Sequence, residues 1–333
     1  MTDRSHTRAL VVGAGGLGCP VLLGLAEAGV GRIRLVDDDR VELSNLQRQV
    51  LYGVSDVGRL KVEASRDRLE RRFPDLSLEV EATRLDATNV SRVLDGVDVV
   101  IDATDDPQAR FTINDQAVAQ GVPAVLGGVI RFEGVIMGVQ PGKGPCFRCL
   151  FEGPPEPGEV MTCAGAGVLG AMAGLVGHLQ VQRALGLLGD RPDEAAGYIT
   201  TVDGLRGTTR DVPVPAREGC TACAQRTASS FHFMTPSTQE NSMSVAIKIP
   251  TSLRRFVGGN DQIEVAGQNV REALDGLEAA HPGIKAKICD AQGNLRRFIN
   301  VYADQEDIRF LDNLETPLGE GAELQIVPAI AGG

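Results

Sequence analysis

The segment Gly13-Ala14-Gly15-Gly16-Leu17-Gly18 lies between an apolar run and a helical pattern. Glycines at such a junction let backbone amides at a helix N-terminus approach phosphate oxygens. Asp37 closes the next apolar run, nineteen residues beyond Gly18, where a carboxylate can accept from ribose hydroxyls. These residues fit a dinucleotide such as NAD as well as a mononucleotide. The segment Leu43-Ser44-Asn45-Leu46-Gln47-Arg48-Gln49 adds Asn45 and Arg48, and Lys61 follows thirteen residues after Arg48. Two cations plus amides suit a polyphosphate whose charge rises during transfer, whereas hydride transfer needs no such clamp. Next comes Asp102-Ala103-Thr104-Asp105-Asp106, after a further apolar run. Carboxylates at the carboxyl end of a parallel strand lie where such sheets bind ligands, so Asp105 could hold Mg²⁺ between phosphates. Asp106, just before Pro107, also reads as a helix N-cap.

Seven cysteines include two Cys-x-x-Cys pairs, Cys146 with Cys149 and Cys220 with Cys223, each on a turn-like segment bordered by Gly or Pro. Four thiolates from two such knuckles make the closed tetrahedral shell of structural Zn²⁺. Cys163 follows an acidic segment rich in Gly and Pro, Phe151 to Thr162, and precedes a small-residue helical pattern, Ala164 to Ala173. A helix N-terminus favours the thiolate there. Cys19 and Cys289 sit in apolar surroundings and read as packing residues.

Positioning these groups calls for an α/β framework. Short β-branched runs at Ala9 to Val12, Arg32 to Asp37, Leu76 to Glu81, Asp98 to Asp102 and Pro123 to Leu126 alternate with helical patterns starting near Gly16, Gly58, Thr88, Pro107 and Ala164. That alternation predicts a mostly parallel sheet with crossover helices. The predicted organisation is an enzymatic domain over 1–223, a Ser-, Thr- and Gln-rich linker over 224–243, and a second domain over 244–333. The second domain alternates at Val245, Ile247 and Ile249, then shows a helix over about Asn269 to Ala280 and strands near Phe298 to Tyr302 and Glu323 to Val327, a compact α+β unit ending in Gly332-Gly333. A chain of 333 residues, 43% hydrophobic, supports two cores. Its formal charge of -11 carries no basic footprint for nucleic acid. No signal-peptide pattern opens the chain and no apolar stretch reaches a membrane span, so the expected compartment is the cytoplasm.

From Arg8 to about Gln225 the chain resembles the ThiF/MoeB family, the bacterial relatives of ubiquitin-activating enzymes. The matching pieces are Gly13 to Gly18, Asp37, Leu43 to Gln49, Lys61, Thr104-Asp105, Arg110, Gly127-Gly128 and Arg131 through Gly134, in the family's order. Leu60 stands where the family usually has Pro, and Asp106 where it usually has Asn. The resemblance implies a Rossmann-like fold in which Asp37 binds the ribose, Asn45, Arg48 and Lys61 bind the phosphates of ATP, and Asp105 serves Mg²⁺ and the reacting α-phosphate. It also implies a homodimer, and a sulfur-relay role for Cys163. The C-terminal domain resembles the MoaD/ThiS sulfur carriers of ubiquitin-like β-grasp fold, above all CysO, through Ile249 to Arg254, Val257-Gly258-Gly259, Arg297 to Tyr302, Glu306 to Phe310 and Val327 to Gly333. The activity implied is ATP-dependent adenylation of the Gly333 carboxylate, in the same or a neighbouring chain, leading to a thiocarboxylate. A separate sulfur donor, either a sulfurtransferase or a cysteine desulfurase, and a downstream acceptor enzyme would complete the route, in cysteine, cofactor or thio-metabolite synthesis. Ubiquitin-like protein conjugation and a non-catalytic nucleotide-binding scaffold are the alternative readings.

Overall fold

The computed structural model describes residues 3–155, 167–190, 192–224, 244–304, 306–319 and 321–328. Strands β1 (Arg8–Val12), β2 (Arg32–Val36), β3 (Ser77–Glu81), β4 (Val99–Asp102), β5 (Ala124–Ile130), β6 (Glu133–Val139), β7 (Tyr198–Asp203) and β8 (Thr208–Pro213) form one sheet in the order β3-β2-β1-β4-β5-β6-β7-β8. The first five are parallel and β6 to β8 are antiparallel. The central strands β1, β4 and β5 are almost wholly buried, as their near-continuous Val, Leu and Ile content requires of strands covered on both faces. After β3 the chain crosses to the far side of β1, so β1 and β4 flank the point where strand order reverses. In sheets of this kind ligands bind there, outside the carboxyl ends.

Helices α1 (Gly18–Glu27), α2 (Lys61–Arg72), α3 (Val90–Val93), α4 (Pro107–Gln120), α5 (Phe147–Leu150) and α6 (Gly170–Leu187) complete the first domain. Two expected helix starts need correction. The one placed near Gly58 begins at Lys61, because Gly58 has φ +90° and Asp56, accepting from the Gly53 amide and from Arg59 and Arg68, closes a tight turn first. The one placed near Thr88 is a single turn from Val90. Asp86 accepts from the Thr88 amide and hydroxyl, while Asn89 accepts from the Asp86 amide, and this local turn outcompetes helix. The expected helix from Ala164 is described only from Gly170 onward. Strands β6 to β8 were not foreseen: β6 is Gly-Val-Ile-Met-Gly in its middle, and its glycines serve helix packing. A Cβ on Gly134 would lie 2.3 Å from Val176 of α6, and one on Gly127 of β5 would lie 2.5 Å from Gln180.

In the second domain β9 (Ser244–Lys248), β10 (Gln262–Ala266), β11 (Ile299–Ala303), β12 (Glu306–Asp307) and β13 (Glu323–Pro328) order as β10-β9-β13-β11-β12, with β9 and β13 parallel. One long helix, α8 (Val270–Ala280), crosses the sheet after a short α7 (Thr251–Arg254). Asn269 caps α8 by accepting from the Glu272 amide at 2.8 Å, and Glu272 accepts from the Gln268 amide at 2.9 Å. Such reciprocal capping holds a helix start. Val245, Ile247, Leu324, Ile326 and Val301 form the apolar core with Leu274 and Leu277. Among the described residues no helix is long and apolar enough to cross a membrane.

Candidate functional site

The glycine loop presses onto the end of β4. A Cβ on Gly13, which has φ +97°, would lie 2.6 Å from the Ala103 carbonyl oxygen and 3.1 Å from the Thr104 amide. One on Gly18 would lie 2.1 Å from the Gly13 oxygen. Only glycine fits both positions, and this close approach sets the start of α1 beside Thr104 and Asp105. The Gly15 carbonyl accepts from the Cys19 amide in the first turn of α1, at 3.0 Å. Gly16 lies under the aliphatic arm of Arg48: a Cβ there would meet its Cγ and Cδ at 3.4 Å and Ala173 of α6 at 3.3 Å. Arg48 buries its Nε without a partner among the described residues.

Asp37 accepts from the Ala14 amide at 2.7 Å and from the Asp39 amide at 2.8 Å, so the second carboxylate position ties β2 to the loop. Burial pushes its carboxyl above the usual range, with Lys61 nearby acting in the opposite sense. Lys61 is 5% exposed and donates to Asp39 at 2.7 Å. Asn45 belongs to a short 3₁₀ turn, Leu43–Asn45, where its Nδ2 donates to Ser44 and its Oδ1 accepts from Gln49. Of the four phosphate- and ribose-binding residues named from the sequence, Asp37, Arg48 and Lys61 converge on the loop, whereas the Asn45 side chain bonds within its own turn.

The two flanking aspartates after β4 divide their roles from Asp105. Asp102 is fully buried, accepting from Arg110 Nε at 2.7 Å, from the Thr104 amide at 3.0 Å and from the Thr104 hydroxyl at 2.7 Å. Asp106 caps α4 through the Gln108 amide and pairs with Arg84 at 2.7 Å. Asp105 between them is exposed, and both it and Asp38 bear electrostatically on Arg84. A rigid buried acid thus holds the turn from which an exposed one projects at the switch point.

Three supporting residues escaped the sequence reading. Asp39 neutralises Lys61; its position within Asp37-Asp38-Asp39 was the available signal. Tyr52 donates to the Ala14 carbonyl at 2.9 Å and shares a hydrogen bond with Ser65, and Gln180 donates to the Asp102 carbonyl at 2.6 Å from 78 residues away. No local pattern marks either.

The sulfurs of Cys146, Cys149, Cys220 and Cys223 all lie within 4.8 Å of one another, and all four residues are buried. Cys146 and Cys220 are 3.7 Å apart and Cys149 and Cys223 3.4 Å, well beyond a disulfide bond. Tetrahedral Zn–S bonds of about 2.3 Å place sulfurs roughly 3.8 Å apart, so the donor set and its size fit zinc. Cys19 and Cys289 are buried, and burial pushes the Cys19 thiol to about 12 and raises that of Cys289. Cys163, the linker after Ala224 and the terminal Gly332-Gly333 lie outside the described residues.

The model of the ThiF family matches residues 2–222, and that of the ThiS family matches residues 247–333. The SAMP-activating enzyme E1 of Haloferax volcanii is 42% identical over 219 residues, covering 66% of this chain and 81% of its own length. The sulfur carrier protein adenylyltransferase of Thermus thermophilus is 41% identical over 219 residues, covering 64% and 81%. The adenylyltransferase and sulfurtransferase MOCS3 of Culex quinquefasciatus is 39% identical over 216 residues, and the chain spans only about half of it, 49%. Among solved structures, Escherichia coli MccB with ATP superposes with a TM-score of 0.59 at 21% identity, covering 66% of this chain and 67% of that one, a likeness of fold.

Proposed function

The chain belongs to the ThiF family and carries a ThiS domain, and from that premise we propose that it uses ATP to adenylate the Gly333 carboxylate of its ubiquitin-like sulfur carrier. The observation that carries this reading is Arg48, laid over Gly16 of the glycine loop with a buried guanidinium nitrogen that has no partner among the described residues. An arginine so held supplies donors to phosphate oxygens, which a nicotinamide site does not require.

In this reading Asp37 takes the ribose, and the loop amides at the start of α1, with Arg48 and Lys61, take the phosphates. Lys61 would exchange Asp39, which is largely exposed, for a phosphate oxygen. A Gly333 carboxylate oxygen attacks the α-phosphorus while the bond to the bridging oxygen breaks, and pyrophosphate leaves with the electron pair. Arg48 and Lys61 stabilise the charge gathering on the leaving group. Asp105 would hold Mg²⁺, which would supply positive charge to offset that of the phosphates. Free hydrosulfide then attacks the acyl carbon and displaces AMP, leaving a thiocarboxylate; where a separate sulfurtransferase or cysteine desulfurase is the donor, its persulfide displaces AMP instead, and a second thiol reduces the resulting acyl disulfide to release the thiocarboxylate and a disulfide. Likeness of the carrier to CysO makes cysteine synthesis the destination we favour. Cys163 as a sulfur relay, Zn²⁺ at the four cysteines, a homodimer and a cytoplasmic location complete the proposal.

The test is ATP–pyrophosphate exchange by the intact chain, by a chain lacking Gly332-Gly333 and by Asp105→Ala. Exchange is expected only from the first, and intact mass after adding ATP and sulfide should show one oxygen replaced by sulfur. Equal exchange by the truncated chain would overturn the assignment.

A further inference from the structure

The grasp sheet of the ThiS domain has two unlike faces. Val245, Ile247, Val301, Leu324 and Ile326 turn inward to α8. Strand alternation and register put Lys248, Glu323, Gln325, Asn300 and Tyr302 on the other face, which an isolated two-layer unit would give to water. Here Asn300 is 1% exposed and Tyr302 fully buried. The ThiF domain covers part of this face. Asn300 Nδ2 and Arg309 Nη1 both donate to the Leu150 carbonyl, at 2.6 Å each. Arg210 of β8 pairs with Glu323 at 2.6 Å, Asp203 with Arg254 at 3.3 Å, and Arg206 with Asp261. Both signs occur on each side, a pattern that fixes orientation more than it adds affinity.

The seat also sets where β13 ends. A cleft of about 230 Å³ between the domains is lined by Pro328, the last residue of β13, together with Glu133 and Gly134 of β6. β6 lies one strand from β5, which is paired with β4, and the far end of β4 leads to Asp105. Ala329 to Gly333 continue from Pro328, and five extended residues reach at most about 17 Å.

We propose that this docked arrangement is the chain's own activation complex: the carrier works in cis, seated on the domain to which it is joined. The proposal rests on the adenylation reading above. The seat is also built to open. Asn300 Oδ1, Gln325 Oε1 and the Tyr302 hydroxyl have no partner among the described residues when docked, and each regains water on release. Unmatched buried polar atoms weaken a contact, so the carrier can leave its seat to present Gly333 to the next enzyme.

The experiment is pyrophosphate exchange by full-length chains at nanomolar to micromolar concentration. A tether supplies roughly millimolar effective concentration, so a cis reaction should keep a constant rate per chain over about 100-fold dilution. Mixing Asp105→Ala with the chain lacking Gly332-Gly333 should stay silent, since neither holds both a working site and a working tail. Arg210→Glu, which sets two acids face to face, should lower exchange more than about tenfold while ATP binding by calorimetry is kept. Restored exchange in the mixture, a rate per chain that falls on dilution, or an unaffected Arg210→Glu would each overturn docking in cis. No exchange by the unaltered chain would instead overturn the adenylation reading, and this inference with it.

Discussion

At the proposed nucleotide corner the groups come from separate segments between Gly13 and Asp105; Asp105 is exposed, and Arg48 Nε has no partner among the described residues. At the cysteine cluster four thiols from two short segments close on one another in the core. Both lie in one domain, yet they are organised for opposite ends. A structural shell gains stability by satisfying every donor internally, whereas a binding corner must withhold donors for its ligand. The contrast recurs over five residues after β4, where Asp102 is consumed by Arg110 and Thr104 while Asp105 stays exposed.

The sharpest way to break this contrast is to empty the cysteine shell. Chelation, or Cys220→Ser, should cost most of the domain's stability, because structural zinc binds with an apparent roughly 10–16 kcal/mol in small zinc peptides. Calorimetric melting alongside metal analysis checks this, and one zinc per chain is expected; a metal-free chain of unchanged melting temperature would refute the shell. A smaller effect should follow at the other region. Arg48→Ala should slow pyrophosphate exchange by about 10²-fold or more, roughly 3 kcal/mol, while urea unfolding of the free chain shifts by less than about 0.5 kcal/mol. Comparable losses in both assays would mean that Arg48 is structural.

The smallest effect concerns pH. Burial raises the Asp37 carboxyl above its ordinary 3.8. A raised acid favours the folded state when protonated, so its contribution is fully present below that ordinary value and is lost as pH rises through the folded one. The stability of the free chain relative to Asp37→Asn should therefore decline as pH climbs from about 4, even though the same substitution weakens ATP binding. A flat difference across that range would show that the two backbone amides on Asp37 offset its desolvation.

Much of the corner was legible because its residues are constrained by type. Only glycine tolerates the approach of Gly13 to Ala103 or of Gly18 to Gly13, so the loop is visible in sequence. Asp37 and Lys61 follow at short spacings along consecutive elements. What was not legible is support delivered from afar or through ordinary-looking residues: Asp39 on Lys61, Tyr52 on Ala14, Gln180 on the Asp102 carbonyl. Asn45, expected at the phosphates, bonds here to its neighbours Ser44 and Gln49. The antiparallel strand β6 escaped notice because glycines, one of them packed against α6, interrupt its period-two pattern.

By itself the sequence determined the inventory: a glycine loop with its cations and acids, two cysteine knuckles, and a second domain ending in Gly332-Gly333. These are readable because phosphate approach, tetrahedral thiolate ligation and strand alternation each restrict residue type at short range. Tertiary structure decided which acid is spent and which is offered, and which face of the grasp sheet is covered. The first follows from side-chain bonds within one turn and helix, Asp102 to Thr104 and Arg110; the second follows from contacts up to 159 positions apart, such as Arg309 on the Leu150 carbonyl, which are chosen by packing and leave no mark in local composition.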